Sequence, residues 1–272
     1  MKTACLTSSQ GSSTEKITAF STWSLSKVAD HLVTQKVTAA IGRETVRRIL
    51  RAGKVSWKTT TAWKASTDSE FIAKMHRVLA LYDTPPADGR VICVDEFGPL
   101  NLMPRKGKAW GPVRRPPRLR AAYNCYGGVR QMLAALDPAT GKPYYRIHPR
   151  KRWHEFLGLL KALRARRPGQ KLYVALDNIS PHKHAKVRTR AADNDVEPVF
   201  LPTYGSWLNW IESEFAALRY FALNGTDHRS HDERNVAVAA HVRRHNTPAG
   251  PTTDFAPDSA IRSWTDCPAG AA

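Results

Sequence analysis

The chain has 272 residues, 42% of them hydrophobic, which is enough for a real core and, at roughly 150 residues per domain, for about two domains. Forty-two Lys and Arg against 23 Asp and Glu leave a net charge of +19, more than solubility needs and the footprint of a polyanionic partner, with nucleic acid first. No apolar stretch approaches the ~20 residues that span a bilayer, and the four scattered cysteines form no CxxC pair; with neither GxGxxG nor GxxxxGK[ST] present, zinc ribbons, disulfide scaffolds, dinucleotide folds and P-loop ATPases are excluded.

Residues 1–20 are Ser- and Thr-rich with few apolar anchors and no secretion signal, and are expected to be a disordered leader in a cytoplasmic protein. From Ser24, an expected N-cap, Leu25, Val28, Ala29, Leu32 and Val33 follow helical spacing. The pattern breaks over 36–42 and resumes from Arg43 to Ala52 with Val46, Ile49 and Leu50 apolar. This is the outline of a helix-turn-helix over 21–66. Its second helix carries Arg43, Thr45, Arg47, Arg48 and Arg51 for bases and phosphates, although a plain helical hairpin shares the pattern. A helical linker is expected over 67–88, its helix running from Asp68 to Tyr82 into a Pro-Pro turn.

Val91 to Val94 reads as a buried strand that delivers Asp95 and Glu96 at its end. Strands are expected around Arg120–Tyr126, Gly128–Leu136 and Pro143–Ile147, a helix over 153–166, a strand Lys171–Leu176 ending at Asp177-Asn178, a helix 181–192, a strand 196–201 and a helix 208–223. That order calls for a mixed α/β sheet with flanking helices over 89–265, followed by a short tail at 266–272. Residues 101–170 hold 17 Lys and Arg against only Asp137 and Glu155, interleaved with aromatics, so a phosphate backbone is expected to track this region. Arg105, Lys106 and Lys108 are its leading contacts.

If the strands ending at Asp95 and Asp177 are parallel neighbours, the two carboxylates open side by side where open α/β sheets bind ligands. Glu212 is available as a third acid. Three converging acids in a basic protein suggest a divalent metal acting on phosphodiesters, while each acid taken singly is more often a cap or an ion-pair partner. Glu214 competes with Glu212, and two residues along a helix turn a side chain by ~200°, so only one of them faces the site. Glu96 and Asn178 are expected to support the aspartates from behind. His182-Lys183-His184 reads as surface or packing residues, and Asp227-His228 with His231-Asp232 as a capping or loop cluster.

The strings VDEFGPLNL from Val94, YVALDNISPHKHA from Tyr173 and LPTYGSWLNWIESEFAALRYFALNGTDHRSH from Leu201 resemble the catalytic blocks of DDE transposases, in the bacterial insertion-sequence branch of the mariner superfamily. The match spans about residues 90–265, and the 34 residues between Asp177 and Glu212 are the superfamily's separation. The resemblance implies a ribonuclease H-like fold with Asp95, Asp177 and Glu212 as ligands of two Mg²⁺ ions, for which Mn²⁺ may stand in. It selects Glu212 over Glu214, and it implies cutting of transposon inverted-repeat ends in double-stranded DNA and joining of the 3′-hydroxyl to target DNA. It further implies a homodimer when two ends are synapsed, a nucleoid-associated location, and a TA target in mariner relatives. Relatives carry two helix-turn-helix units where residues 1–85 have room for one, so the alternative expectation is a DNA-binding remnant that represses without catalysis. A nuclease acting on RNA hybrids shares the acids but needs no helix-turn-helix.

Overall fold

The computed structural model describes residues 23–55, 66–108, 118–121 and 124–266. It divides into two units, residues 1–62 and 63–272. The expected leader, most of the connector after Gly53 and all but the first residue of the tail lie outside the described residues.

In the first unit, α1 (Leu25–Thr34) and α2 (Arg43–Ala52) form the expected helical pair. Ser24 caps α1 as anticipated, its Oγ accepting the Lys27 amide at 3.2 Å. Ala29 and Val46 are the buried residues of the pair. Ile49, expected on the apolar face, is instead 54% exposed: two ten-residue helices do not enclose a stripe that wide.

The second unit is built on a five-stranded mixed sheet: β1 (Gly89–Leu100), β2 (Arg130–Asp137), β3 (Lys142–His148), β4 (Lys171–Leu176) and β5 (Val196–Phe200), in the order β3-β2-β1-β4-β5. The β3-β2-β1 half is antiparallel, and β1-β4-β5 is parallel. Helices cover both faces. Alternation along β1 sends Val91, Cys93 and Phe97 into a core shared with α3 (Phe71–Asp83), α6 (Ile211–Leu218) and Val238 of α7 (His231–Asn246). Ile92 and Val94 enter a second core with α4 (Trp153–Arg166) and α5 (Ala185–Ala192). Burial on both faces explains why the central strands read as unbroken apolar runs.

Three departures from the sequence reading have physical causes. No strand occupies the described residues around Arg120–Tyr126; Arg120 is drawn to the Asp227 carboxylate at 2.8 Å and the Leu102 carbonyl at 3.2 Å, so the segment is held by side chains and not by a ladder. The stretch read as a helical linker contributes Phe71, Met75, Val78 and Leu79 to the sheet's core and is part of the second unit. Helix α7 was not foreseen, although Ser230 and Glu233 have the spacing of a helix start: Ser230 Oγ accepts the Glu233 amide at 3.1 Å and the Glu233 carboxylate accepts the Arg229 amide at 2.7 Å. No helix among the described residues is long and apolar enough to cross a membrane.

Candidate active site

Parallel pairing of β1 with β4 sets Cys93 opposite Ala175. Two residues further stand Asp95 and Asp177. Asp177 follows the end of β4, whereas β1, expected to end at Asp95-Glu96, runs on to Leu100 because Asp95, Glu96 and Phe97 still pair with β2, so Asp95 lies just past the end of the parallel pairing. Asp95 is buried and Asp177 half-buried. Across from them α6 buries Ile211, Phe215 and Leu218 against the sheet and turns Glu212 outward in its first turn.

Asp95 is held from two sides. Its Oδ1 accepts the Glu96 amide at 2.7 Å, and its Oδ2 accepts Asn209 Nδ2 at 3.2 Å. Asn209 is buried just before α6, and the same Nδ2 donates to the Val94 carbonyl at 2.9 Å, tying the segment before Glu212 to β1. Burial and crowding by the carboxylates of Asp177, Glu212 and Glu96 push the Asp95 carboxyl up to about 7 against the lowering effect of the Glu96 amide. Glu212 is also raised, by partial burial, with Arg219 opposing.

Glu214 goes elsewhere: its carboxylate lies 3.2 Å from His245 Nε2 on α7. Glu212, and not Glu214, bears electrostatically on Asp95, while among the described residues the side chains whose ligand atoms come within 4.8 Å of one another are Glu96, Asp177 and His182.

Glu96 and Asp95, consecutive on a strand, point to opposite faces. Glu96 nevertheless remains linked to Asp177 through His182. That side chain is fully buried, packed on Phe156 at 4.1 Å between ring centroids. Its Nε2 donates to Glu96 Oε1 at 3.1 Å; its Nδ1 donates to the Asp177 backbone oxygen at 3.1 Å and lies 2.9 Å from Asp177 Oδ1. Burial works against a charge on the ring, but hydrogen bonds to Asp177 and Glu96 outweigh it and carry its pKa up to about 9. Lys151 completes the arrangement, 3.8 Å from Glu96. Asn178 is half-buried beside Asp177. The packing role expected of His182 holds, and its link between two acids is an addition that only the three-dimensional fold supplies. His184 caps α5 and stacks on Trp153 at 4.2 Å between ring centroids.

The remaining expected contacts fall on two surfaces. On α2, Arg43, Arg48 and Arg51 are exposed, Thr45 is half-buried, and Arg47 is engaged by Glu44, with Nε 2.9 Å from Oε1. After β1, Lys106 and Lys108 are exposed while Arg105 is half-buried, and the Arg105 backbone pairs with Gly225 and Thr226 at 2.9 and 3.0 Å. The Asp227 to Asp232 cluster serves as the capping and loop region anticipated: Asp227 takes Arg120, and His231 Nε2 donates to the Gly127 carbonyl at 2.7 Å.

A mixed β3-β2-β1-β4-β5 sheet flanked by helices, with an acid within β1, an acid just after β4 and a further acid on the helix packed against the sheet, is a ribonuclease H-like domain. The sequence pattern of the DDE superfamily endonucleases matches residues 90–246, more than half of the chain, and the chain belongs to that family. The fold is similar to that of the Mos1 transposase paired-end complex with left transposon end (14% identity, TM-score 0.55, covering 85% of this chain and 74% of that one). It is similar also to the Mos1 mariner paired end complex with Mn (14%, 0.54, 80% and 75%) and to the Mos1 Strand Transfer Complex (15%, 0.52, 86% and 79%). No curated protein matches the chain in sequence.

Proposed function

We propose that the chain is a transposase: a divalent-metal-dependent DNA endonuclease and strand transferase in which Asp95, Asp177 and Glu212 hold the metal. The carrying observation is the placement of Asp95 and Asp177 on the adjacent parallel strands β1 and β4, where burial first, and then the carboxylates of Asp177, Glu212 and Glu96, push the Asp95 carboxyl up to about 7. The Glu96 amide and Asn209 Nδ2 offset this only in part, and a bound cation would offset it further.

The donor chemistry fits. Asp177 is half-buried, and its Oδ1 faces His182 Nδ1 at 2.9 Å; an all-carboxylate set suits hard cations such as Mg²⁺ or Mn²⁺. Glu96, Asp177 and His182 also offer atoms within 4.8 Å of one another. With both ring nitrogens donating to acids, however, His182 has no lone pair for a metal, which favours the Asp95 side of the cluster. Divalent ions at such a site activate the attacking water or hydroxyl and stabilise the leaving oxygen. The chain's own residues orient: Asn209 fixes Asp95, and His182 fixes Asp177.

The substrate in this reading is duplex DNA, with α2 reading sequence through Arg43, Thr45, Arg48 and Arg51, and with Arg105, Lys106 and Lys108 on the backbone. Arg47 joins them when released by Glu44. Similar folds occur in Mos1 complexes with transposon ends and with Mn or Mg, which supports transposon ends as substrate and a divalent metal; inverted-repeat ends, two ions, a dimer at synapsis and a nucleoid location belong to the same proposal.

The test is cleavage of duplex DNA carrying the gene's own genomic flanks, with Mg²⁺ or Mn²⁺, by the wild-type chain and by Asp177→Ala. Metal-dependent cuts at the flanks that vanish in the variant support the reading. Salt-sensitive binding without cutting by either protein points instead to a DNA-binding remnant.

A further inference from the structure

A cavity of about 340 Å³ opens beside the acids, walled by Phe97, Pro99, Asn101 and Met103 and by the side chains of Arg105 and Arg219. Phe97 stands two residues beyond Asp95 on β1, and Arg219 lies close enough to Glu212 to pull its carboxyl down, so the cavity adjoins the proposed catalytic cluster. Among the described residues, its charged walls are the two arginines and no carboxylate lines it.

Arg77, Arg120, Arg152 and Arg167 each pair with an acid. Among the described residues, Arg105 and Arg219 pair with none. Arg105 donates once, through Nη2 to the Pro99 carbonyl at 3.2 Å, and the Arg219 guanidinium lies 5.3 Å from the centre of the Phe97 ring. Most of their N–H donors are left for an occupant. Burial and the neighbouring Arg219 together lower the pKa of Arg105, the mark of two like charges held near each other.

The frame that holds them is stiff. Arg105 pairs through its backbone with Gly225 and Thr226, just past the π-helical turn Arg219–Leu223 that carries Arg219. Gly107 is pressed against the same place: a Cβ there would lie 2.3 Å from the Gly225 nitrogen. One brace thus fixes both arginines, and a wide π turn of this kind often marks a functional position. Two guanidinium forks converging on a preformed cavity match the oxygens of a phosphate.

We propose that the Arg105–Arg219 cavity binds one backbone phosphate of the DNA strand, next to the phosphate at the Asp95, Asp177 and Glu212 cluster. The site rests on the nuclease reading for its polymer but not for its anion. Its role is to set the register of the strand across the acids; phosphate contacts position and do not specify sequence.

The experiment compares the full chain with an Arg105→Gln/Arg219→Gln variant and with a charge-matched control, Arg188→Gln/Arg190→Gln, on the exposed face of α5. Binding of a random-sequence duplex is measured by fluorescence anisotropy over a range of salt, and inorganic phosphate is titrated at constant ionic strength with melting temperature as the readout. The expected result is a log–log salt slope shallower by about 0.9 than in the control variant, the value for one phosphate contact. Phosphate is expected to stabilise the wild type and the control but not the cavity variant. Equal slopes and equal phosphate responses in the two variants would overturn the proposal. A wild type that binds no DNA but still shows the phosphate difference would remove the nuclease reading and leave an anion site; DNA binding with no difference between the variants would remove the site and leave the nuclease reading.

Discussion

The imidazole of His182 spans two acids, with Nδ1 2.9 Å from Asp177 Oδ1 and Nε2 3.1 Å from Glu96 Oε1. A side chain from the short helical turn after β4 therefore fixes the acid at the end of β4 relative to the strand that carries Asp95. Removing the ring takes the imidazole N–H groups away from both carboxylates and leaves Glu96 with Lys151 at 3.8 Å. His182→Ala is expected to cut DNA 10- to 100-fold more slowly, on the order of losses seen when the support of a ligand is removed, and to raise the Mn²⁺ concentration needed for half-maximal nicking. A variant with wild-type metal dependence would show that the ring only packs on Phe156.

Asn209 makes a second brace. Its amide donates to both Asp95 Oδ2 and the Val94 carbonyl. Asn209→Leu strands two buried acceptors, and urea unfolding is expected to show a loss of about 1–3 kcal/mol, together with weaker Mn²⁺ binding. Unchanged stability would mean that the two acceptors find other donors.

Asp95 is the cost the fold bears for the site. Its carboxyl is raised to about 7 in the folded chain against the ordinary 3.8, so the folded state holds the proton more tightly than the unfolded state. Its contribution to stability is complete below about pH 4 and is lost as pH rises through about 7. Asp95→Asn is therefore expected to raise the melting temperature of chelator-treated protein at pH 8, the gain shrinking toward pH 4 while cleavage is abolished. A gain independent of pH would place the strain elsewhere.

Glu155 behaves in the opposite sense. It starts α4, accepts from the Arg152 amide at 2.9 Å and from Arg152 Nη2 at 2.8 Å, and is held down at about 2, chiefly by the Arg152 side chain. Its contribution is present above about 4.5 and is lost as pH falls through about 2. Glu155→Gln is expected to cost about 1 kcal/mol at pH 7, typical of a helix cap, and progressively less below pH 4. Denaturant titrations at pH 7 and pH 3 would reveal this difference, and equal losses at both would contradict it.

On α2 the arginines are not equivalent. Arg48 and Arg51 are exposed, whereas Arg47 is engaged by Glu44. Arg48→Gln is expected to flatten the salt dependence of DNA binding by about 0.9, and Arg47→Gln by less. Glu44→Gln, which frees Arg47, is expected to strengthen binding. The reverse order would mean that the pair opens on DNA.

The sequence and the structure agree best where a local pattern coincides with a long-range requirement. Val91–Val94 and Lys171–Leu176 are buried on both sides by helices, so their apolar runs and the acids that end them were readable, and the resemblance of the surrounding strings chose Glu212 over Glu214. Periodicity was silent on partners. Asn209, His182 and Arg219 matter because of residues on other elements, at Asp95, Glu96 and Arg105, and a one-dimensional pattern holds no such pairing. The strand expected near Arg120 failed for the same reason, since Asp227, far along the chain, captures that arginine. Helix α7 had a visible start at Ser230 and Glu233, but its charged face and weak apolar periodicity hid the rest.

The most direct test of the account is divalent-metal binding at the three acids. Mn²⁺ titration calorimetry should be run on the wild type, Asp95→Asn, Asp177→Asn, Glu212→Gln and Glu214→Gln, with duplex cleavage measured on the same samples. The account predicts that the first three substitutions each weaken Mn²⁺ binding at least tenfold and abolish cutting, while Glu214→Gln, whose acid faces His245, retains both. Wild-type affinity and cutting in the Asp95, Asp177 and Glu212 variants would contradict it.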